Sequence, residues 1–235
     1  MAVSENGKVA RKLTVLVVDD HPVVVAGLAM IINSQRDLTC CAKADCIASA
    51  RRKFNDCAPD LVTVDLRLPD GDGVDLIKHF IATKPCIPIL VISSQDEVLY
   101  AERALKAGAR GYLMKERAAE EIVMAIRTIL SGELYFSAKV AAVALNQLAG
   151  RKAVGNHKAL NALTDRELHV LQLLGAGLGT RMIAAKLGLS IKTIETHREN
   201  IKHKLHINSA AGLVHYAVNW VENRNQNPQA SQGNP

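Results

Sequence analysis

Five short, largely apolar runs recur through the first 131 residues, at 13–18, 38–43, 61–65, 87–92 and 110–114. Most are continuous rather than alternating, which is the pattern of strands buried on both faces of a parallel sheet. Helical periodicity fills the gaps between them. Val25, Leu28, Ala29 and Ile32 follow i, i+3, i+4, i+7 spacing, and Ile122, Ala125, Ile126 and Ile129 repeat it. Pro59, Pro69-Asp70-Gly71, Pro85, Pro88 and the Gly108–Gly111 segment fall where loops are needed. Five strand–helix units in succession predict an α/β fold, a doubly wound five-stranded parallel sheet with helices on both faces.

The pattern changes after Gly132. A short amphipathic segment at 138–148 leads into Gly150–Lys158, which has no periodicity and reads as a linker. From Thr164 onward the spacing predicts only helices, at 165–176, 180–187, 191–205 and 209–221. Thr164 and Glu167 make a capping box, Ser190 caps the third helix, and Gly177, Gly179 and Gly188 mark turns. The expected organisation is a flexible tail at 1–12, an α/β domain at 13–131 and a linker with a short helix at 132–160. A small all-α four-helix domain follows at 161–221, then a disordered tail at 222–235 that is poor in apolar residues.

Charge separates the two halves more sharply than composition does. The net charge is +6, yet residues 1–131 hold 17 Lys+Arg against 17 Asp+Glu. Residues 132–235 hold 12 against 6, so the whole excess lies there, with six of the eight histidines. A neutral first half and a basic second half point to a nucleic-acid partner for the second. The five cysteines all lie in the first half and show neither CxxC nor Cys/His metal spacing, which reads as buried thiols in a reducing cytosol. The longest apolar stretch, Pro22 to Ile32, is too short for a bilayer that needs about 20 residues. No signal peptide is visible, and the expectation is a cytoplasmic protein without a membrane partner.

The chemistry is written at the strand ends. LTVLVV ends in Asp19-Asp20, LVTV in Asp65, RGYLM in Lys115 and IPILVI in Ser93-Ser94. The carboxyl ends of parallel strands gather at one edge, where open α/β sheets place their ligand sites. Three carboxylates and an amine there form an acidic pocket for a divalent cation beside one carboxylate free to react. A carboxylate attacks phosphorus poorly because its charge repels the phosphoryl oxygens, and a cation bound to both removes that obstacle. Mg²⁺ is the ion that prefers a few carboxylates with waters and substrate oxygens. Asp20 and Asp65 would bind it, with Asp19 acting directly or through water. Lys115 would neutralise the phosphoryl group, and Asp65, the terminal residue of the middle strand, qualifies as the acceptor. His21 reads as a structural or surface residue of the turn.

The segments VLVVDDHP, PDLVTVDLRLPDGDG, ILVISS and GARGYLMK, within 13–131, resemble the receiver domain of two-component response regulators. The resemblance implies a flavodoxin-like fold with Asp65 as phospho-acceptor, Asp19 and Asp20 as metal carboxylates and the backbone carbonyl of Arg67 as a further ligand. It makes Ser93 the switch hydroxyl, Tyr112 the aromatic rotamer switch and Lys115 the phosphoryl-binding lysine. The donor would be a sensor histidine kinase. Such a protein assists its own aspartyl phosphorylation and dephosphorylation without being an enzyme in the usual sense. An Asp-nucleophile phosphatase of the haloacid-dehalogenase kind also ends a strand in Asp, but it needs a second Asp where Arg67 stands here.

In the basic half, TRMIAAKL, the turn Gly188-Leu189-Ser190 and IKTIETHRENIKHKL form a helix-turn-helix. Burying Ile194, Ile201 and Leu205 leaves Lys192, Thr193, Glu195, Thr196, Arg198, Glu199, Lys202 and His203 outside. That is a mixture of phosphate partners and base-edge readers suited to the major groove of double-stranded DNA. Residues 163–205 resemble the LuxR-type four-helix DNA-binding domain, and the whole chain resembles a NarL/FixJ-type response regulator. By that resemblance Glu195, Thr196 and Glu199 are base-facing. Phosphorylation is expected to free the recognition helix or to favour a homodimer on DNA, with Leu213, Val214 and Ala217 of the last helix as a candidate dimer face. The alternative is a constitutive DNA-binding protein whose receiver serves only to dimerise.

Overall fold

Three strands whose side chains are almost all buried form the centre of the first unit: Leu13–Val18 (β1), Leu61–Val64 (β3) and Ile89–Ser93 (β6). In this computed structural model residues 11–142, 160 and 162–225 are described. Leu38–Ala44 (β2) and Gly111–Met114 (β7) complete a five-stranded sheet of order β2-β1-β3-β6-β7, parallel throughout. Five helices cross between or follow these strands: Pro22–Asn33 (α1), Ile47–Cys57 (α2), Gly73–Thr83 (α3), Glu97–Ala107 (α4) and Ala118–Leu130 (α5).

The apolar runs are unbroken because both faces are covered. Val15, Val17, Leu61, Leu90, Ile92 and Leu113 pack with Leu28 and Ile32 of α1 and with Ile122, Ala125, Ile126 and Ile129 of α5. The alternate strand residues face the other layer, where Phe54 of α2 and Phe80 of α3 stack with ring centroids 4.3 Å apart. Burying each large apolar side chain of this kind contributes roughly 1.5–3 kcal/mol. The strand order reverses between β1 and β3, so the ligand-binding crevice of this topology opens at the ends of those two strands.

Beyond Asp65 the chain makes a small antiparallel hairpin, Arg67–Leu68 (β4) against Gly71–Asp72 (β5), around the expected Pro-Asp-Gly turn. Gly73 closes it by donating to the Leu66 carbonyl at 3.0 Å. A Cβ on Gly73 would lie 2.3 Å from the Asp65 carbonyl oxygen and 2.6 Å from Leu66 Cα, so only glycine lets the hairpin fold back on this strand end. Asp70, at the hairpin tip, accepts from the N–H groups of Ile47 (2.7 Å) and Ala48 (3.0 Å). It thereby caps α2, whose own N-cap residue Cys46 gives no side-chain bond. Burial pushes the Asp70 carboxyl up, but these N–H groups outweigh it and hold the pKa below the ordinary value.

One boundary of the first unit differs from the sequence expectation. The chain does not leave the sheet at 131: Tyr135 donates to the Arg110 carbonyl (3.0 Å) and accepts from Tyr112 N–H (2.9 Å), bridging in parallel to Gly111. A single bridge carries no alternating pattern, so periodicity could not reveal it. Residues 138–142 are helical, and the rest of the helix expected at 138–148 lies outside the described residues, as do 1–10 of the first tail and 226–235 of the last.

The chain divides into two compact units, Met1–Lys152 and Ala153–Pro235. The second is helical where described, with Asp165–Gly175 (α6), Thr180–Leu187 (α7), Ile191–Lys204 (α8) and Ala210–Asn225 (α9). Both halves of the Thr164–Glu167 capping box form. Leu168, Leu171, Ile183, Ile194, Ile201, Leu213 and Ala217 make its core, so Leu213 and Ala217 are spent within the domain and only Val214 of the expected dimer face is exposed. Leu160, which the sequence put at the end of the linker, is helical and buried. The last helix continues to Asn225, into the segment expected as tail.

Candidate functional site

The strand order brings the ends of β1, β3 and β7 to one edge, and the predicted charges meet there. Asp65 is 3 % exposed and Asp19 2 %. Lys115 Nζ lies 2.6 Å from Asp65 Oδ2 and 2.7 Å from Asp19 Oδ2. Burial alone would lower the lysine pKa, but the two carboxylates, Asp65 first, outweigh it and hold the ammonium above its ordinary value. The other Asp65 oxygen, Oδ1, accepts the Ser93 hydroxyl at 2.9 Å and the Arg67 backbone N–H at 3.3 Å. Asp65 is thus held at both oxygens, by a cation on one and by two neutral donors on the other.

The acidic group is compact. Ligand atoms of Asp19, Asp20, His21 and Asp65 all lie within 4.8 Å of one another. Asp19 Oδ2 and Asp20 Oδ1 are buried and have no hydrogen-bond partner of good geometry, although Lys115 Nζ and His21 Nδ1 approach them at 2.7 Å. Buried carboxylate oxygens without directed donors are the hard ligands a divalent cation takes, so the residues present fit such an ion. His21 stands nearer this chemistry than its sequence position suggested. Its Nδ1 is 3.0 Å from Asp19 Oδ1, 2.7 Å from Asp20 Oδ1 and 3.3 Å from Lys115 Nζ, although the side chain is 61 % exposed.

Tyr112 points inward. Its hydroxyl donates to the Gln95 carbonyl at 2.8 Å, and burial pushes the phenol well above its ordinary pKa, with the Ser93 hydroxyl pulling the other way. Gln95 is a participant that the sequence reading missed. Its side-chain oxygen accepts from Arg67 Nη2 at 2.7 Å and its N–H reaches Ser93 Oγ at 3.4 Å. One residue therefore ties the loop after Asp65 to the Ser93 and Tyr112 positions. The only sequence signal was its place two residues beyond Ser93.

In the second unit Ser190 caps α8 by accepting from Thr193 N–H at 3.0 Å, after the tight turn at Gly188 (φ 63°). Lys192, Glu195, Thr196 and Glu199 are exposed on α8. Thr196 bonds back to the Lys192 carbonyl at 3.0 Å. Three other predicted contacts are less free. Thr193 Oγ1 pairs with Ser190 Oγ at 2.8 Å, and Arg198 Nη1 donates to Thr180 Oγ1 at 2.5 Å, tying α8 to the start of α7. Lys202 is only 18 % exposed and pairs with Glu199 at 2.9 Å. Lys204, at the end of the helix, pairs at 2.7 Å with the buried Glu167 of the capping box.

Comparison with known proteins agrees with both units. Residues 15–127 match the response regulator receiver domain, and residues 161–217 match the bacterial regulatory proteins of the luxR family. The oxygen regulatory protein NreC of Staphylococcus haemolyticus is 33% identical over 210 residues, covering 88% of this chain and 97% of that protein. NreC of Staphylococcus carnosus is 32% identical with the same coverage. Among solved structures, a two-component response regulator of the LuxR family from Aurantimonas sp. superposes with a TM-score of 0.55 at 29% identity, over 59% of this chain and 99% of that one. RcsB of Salmonella enterica serovar Typhimurium shares the fold at a TM-score of 0.60 and 23% identity, over 89% of this chain and all of that one. The chain therefore belongs to the LuxR-type two-component response regulators, transcription regulators controlled by phosphorylation through a receiver domain joined to a DNA-binding domain.

Proposed function

We propose that Asp65 is the residue phosphorylated and that α8 is the helix that enters the major groove. The observation that carries this reading is the convergence of Lys115, Ser93 and the Arg67 N–H on the two oxygens of one buried carboxylate. Lys115 would neutralise a phosphoryl group on Asp65, and Ser93 would follow the new oxygens. Tyr112 lies behind Ser93 and would shift with it, altering the surface near α4 and β7. Asp19, Asp20, Asp65 and the Arg67 carbonyl would hold Mg²⁺, which when bound supplies the positive charge that lets a carboxylate attack phosphorus.

On the DNA side, Lys192 and Arg198 would meet phosphates, while Glu195, Thr196 and Glu199 stand where base edges are read. A glutamate can accept from cytosine N4 but repels phosphate, so these two residues contribute readout rather than affinity. Phosphorylation would favour a homodimer on DNA, with half-sites about one helical turn apart. The test is uptake of phosphate from a small phosphodonor in the presence of Mg²⁺. Wild-type protein becomes labelled at Asp65 and Asp65→Asn does not; equal labelling of the Asn variant would remove Asp65 from this role.

A further inference from the structure

Two cysteines meet where β2 passes the end of α2. In β2 the register slips: Cys40 pairs with Val15 and Ala42 with Leu16, leaving Cys41 as the extra residue of a bulge. Cys40 packs against the core layer of α1 and α5. Cys41, next along the strand, turns to the opposite layer, where α2 lies. Cys57 is the last residue of α2, and Ala58 after it takes the left-handed conformation (φ 42°) that returns the chain toward β3. The two thiol sulfurs stand 2.7 Å apart, and both residues are partly open to solvent.

We infer that Cys41 and Cys57 are a redox pair that closes to an intramolecular disulfide on exposure to a peroxide and reopens with a thiol reductant. The step balances with hydrogen peroxide as oxidant. A cysteine sulfur attacks the peroxide, the O–O bond breaks, and a sulfenic acid and one water result. The second sulfur then displaces the sulfenic oxygen, forming the S–S bond and releasing a second water. Two electrons pass from the thiols to the peroxide, and both thiol protons end in water. The Cys41 thiol is pushed up to about 12, by burial first and by the Cys57 thiol next.

The bond would close a loop containing all of α2. That helix is already held at its start by Asp70 from the hairpin after Asp65, so the disulfide would fix it at both ends. Restricting the unfolded chain in this way raises the stability of the first unit.

The test uses the full chain, treated with hydrogen peroxide, alkylated under denaturing conditions and digested for peptide mapping. The expected result is a linked peptide joining Cys41 to Cys57, with the exposed Cys86 still alkylated at the lowest effective dose. Dithiothreitol should return all five cysteines to the alkylated state. Peroxide should also raise the melting temperature of the wild-type protein but not of Cys57→Ser. The peptide map of the wild-type protein decides the matter even if the variant folds poorly. Oxidation of Cys86 without any Cys41–Cys57 link, or a link joining other partners, would overturn the inference.

Discussion

Lys115 Nζ stands 2.6 Å from Asp65 Oδ2 and is the cation that compensates two buried carboxylates, those of Asp65 and Asp19. Removing it leaves like charges facing one another in a poorly solvated site. Breaking a buried pair from one side is costly because the remaining charge has no partner. Lys115→Ala should therefore lower the stability of the first unit by about 2 kcal/mol without divalent cation. It should also strengthen Mg²⁺ binding, since the ammonium competes for the same oxygens. Urea denaturation in EDTA and in Mg²⁺ checks both: the deficit should shrink when the cation is present, and an equal deficit in both would contradict the account.

Acid should loosen the second unit from its capping box. Glu167 is buried and accepts from Thr164 N–H and Lys204 Nζ, each at 2.7 Å. Burial pushes its carboxyl up, but Lys204 and then Thr164 outweigh that and hold the pKa below the ordinary value of 4.5. Because the folded pKa is the lower one, the stabilisation is present above pH 4.5 and fades as pH falls through the folded value. Glu167→Gln should cost about 1–2 kcal/mol at pH 7, and the difference should narrow below about pH 4. Hydrogen exchange of the α6 amides in the full chain measures it; a difference independent of pH would show that charge is not the cause.

Two basic residues of α8 should behave differently toward DNA. Lys192 is exposed, so Lys192→Ala should weaken binding about equally across sequences and reduce the salt slope by about 1. Arg198 is held by Thr180 at the start of α7. Arg198→Ala should additionally lower the thermal stability of the second unit, whereas Lys192→Ala should leave it unchanged. DNA titrations at several salt concentrations, beside melting curves, separate the two effects.

The sheet was legible because parallel strands covered on both faces must be apolar throughout, and three of these runs ended in a charge and a fourth in a hydroxyl. Asp19, Asp20, Asp65, Ser93 and Lys115 could be read by position for that reason, and the structure brings Asp19, Asp65, Ser93 and Lys115 into direct contact. What remained hidden depends on single contacts rather than on periodicity. The Tyr135 bridge rests on two backbone bonds and the Asp70 cap of α2 on two N–H groups accepted by one carboxylate, while His21 acts through its side chain and Gln95 through its side chain and its own backbone. Helix periodicity placed Lys202 outside, but its stem lies along the domain and its ammonium is taken up by Glu199.

The central claim, that phosphorylation of the receiver controls DNA binding, is tested most directly by titrating DNA with the full-length protein with and without beryllofluoride as phosphoryl mimic. A coupling of about 1–3 kcal/mol, typical between sites, corresponds to a change of roughly 5- to 150-fold in affinity. The account predicts tighter binding with the mimic in the wild-type protein and no response in Asp65→Asn. Identical affinities with and without the mimic would contradict it, and the chain would then be a DNA-binding protein whose receiver exerts no control.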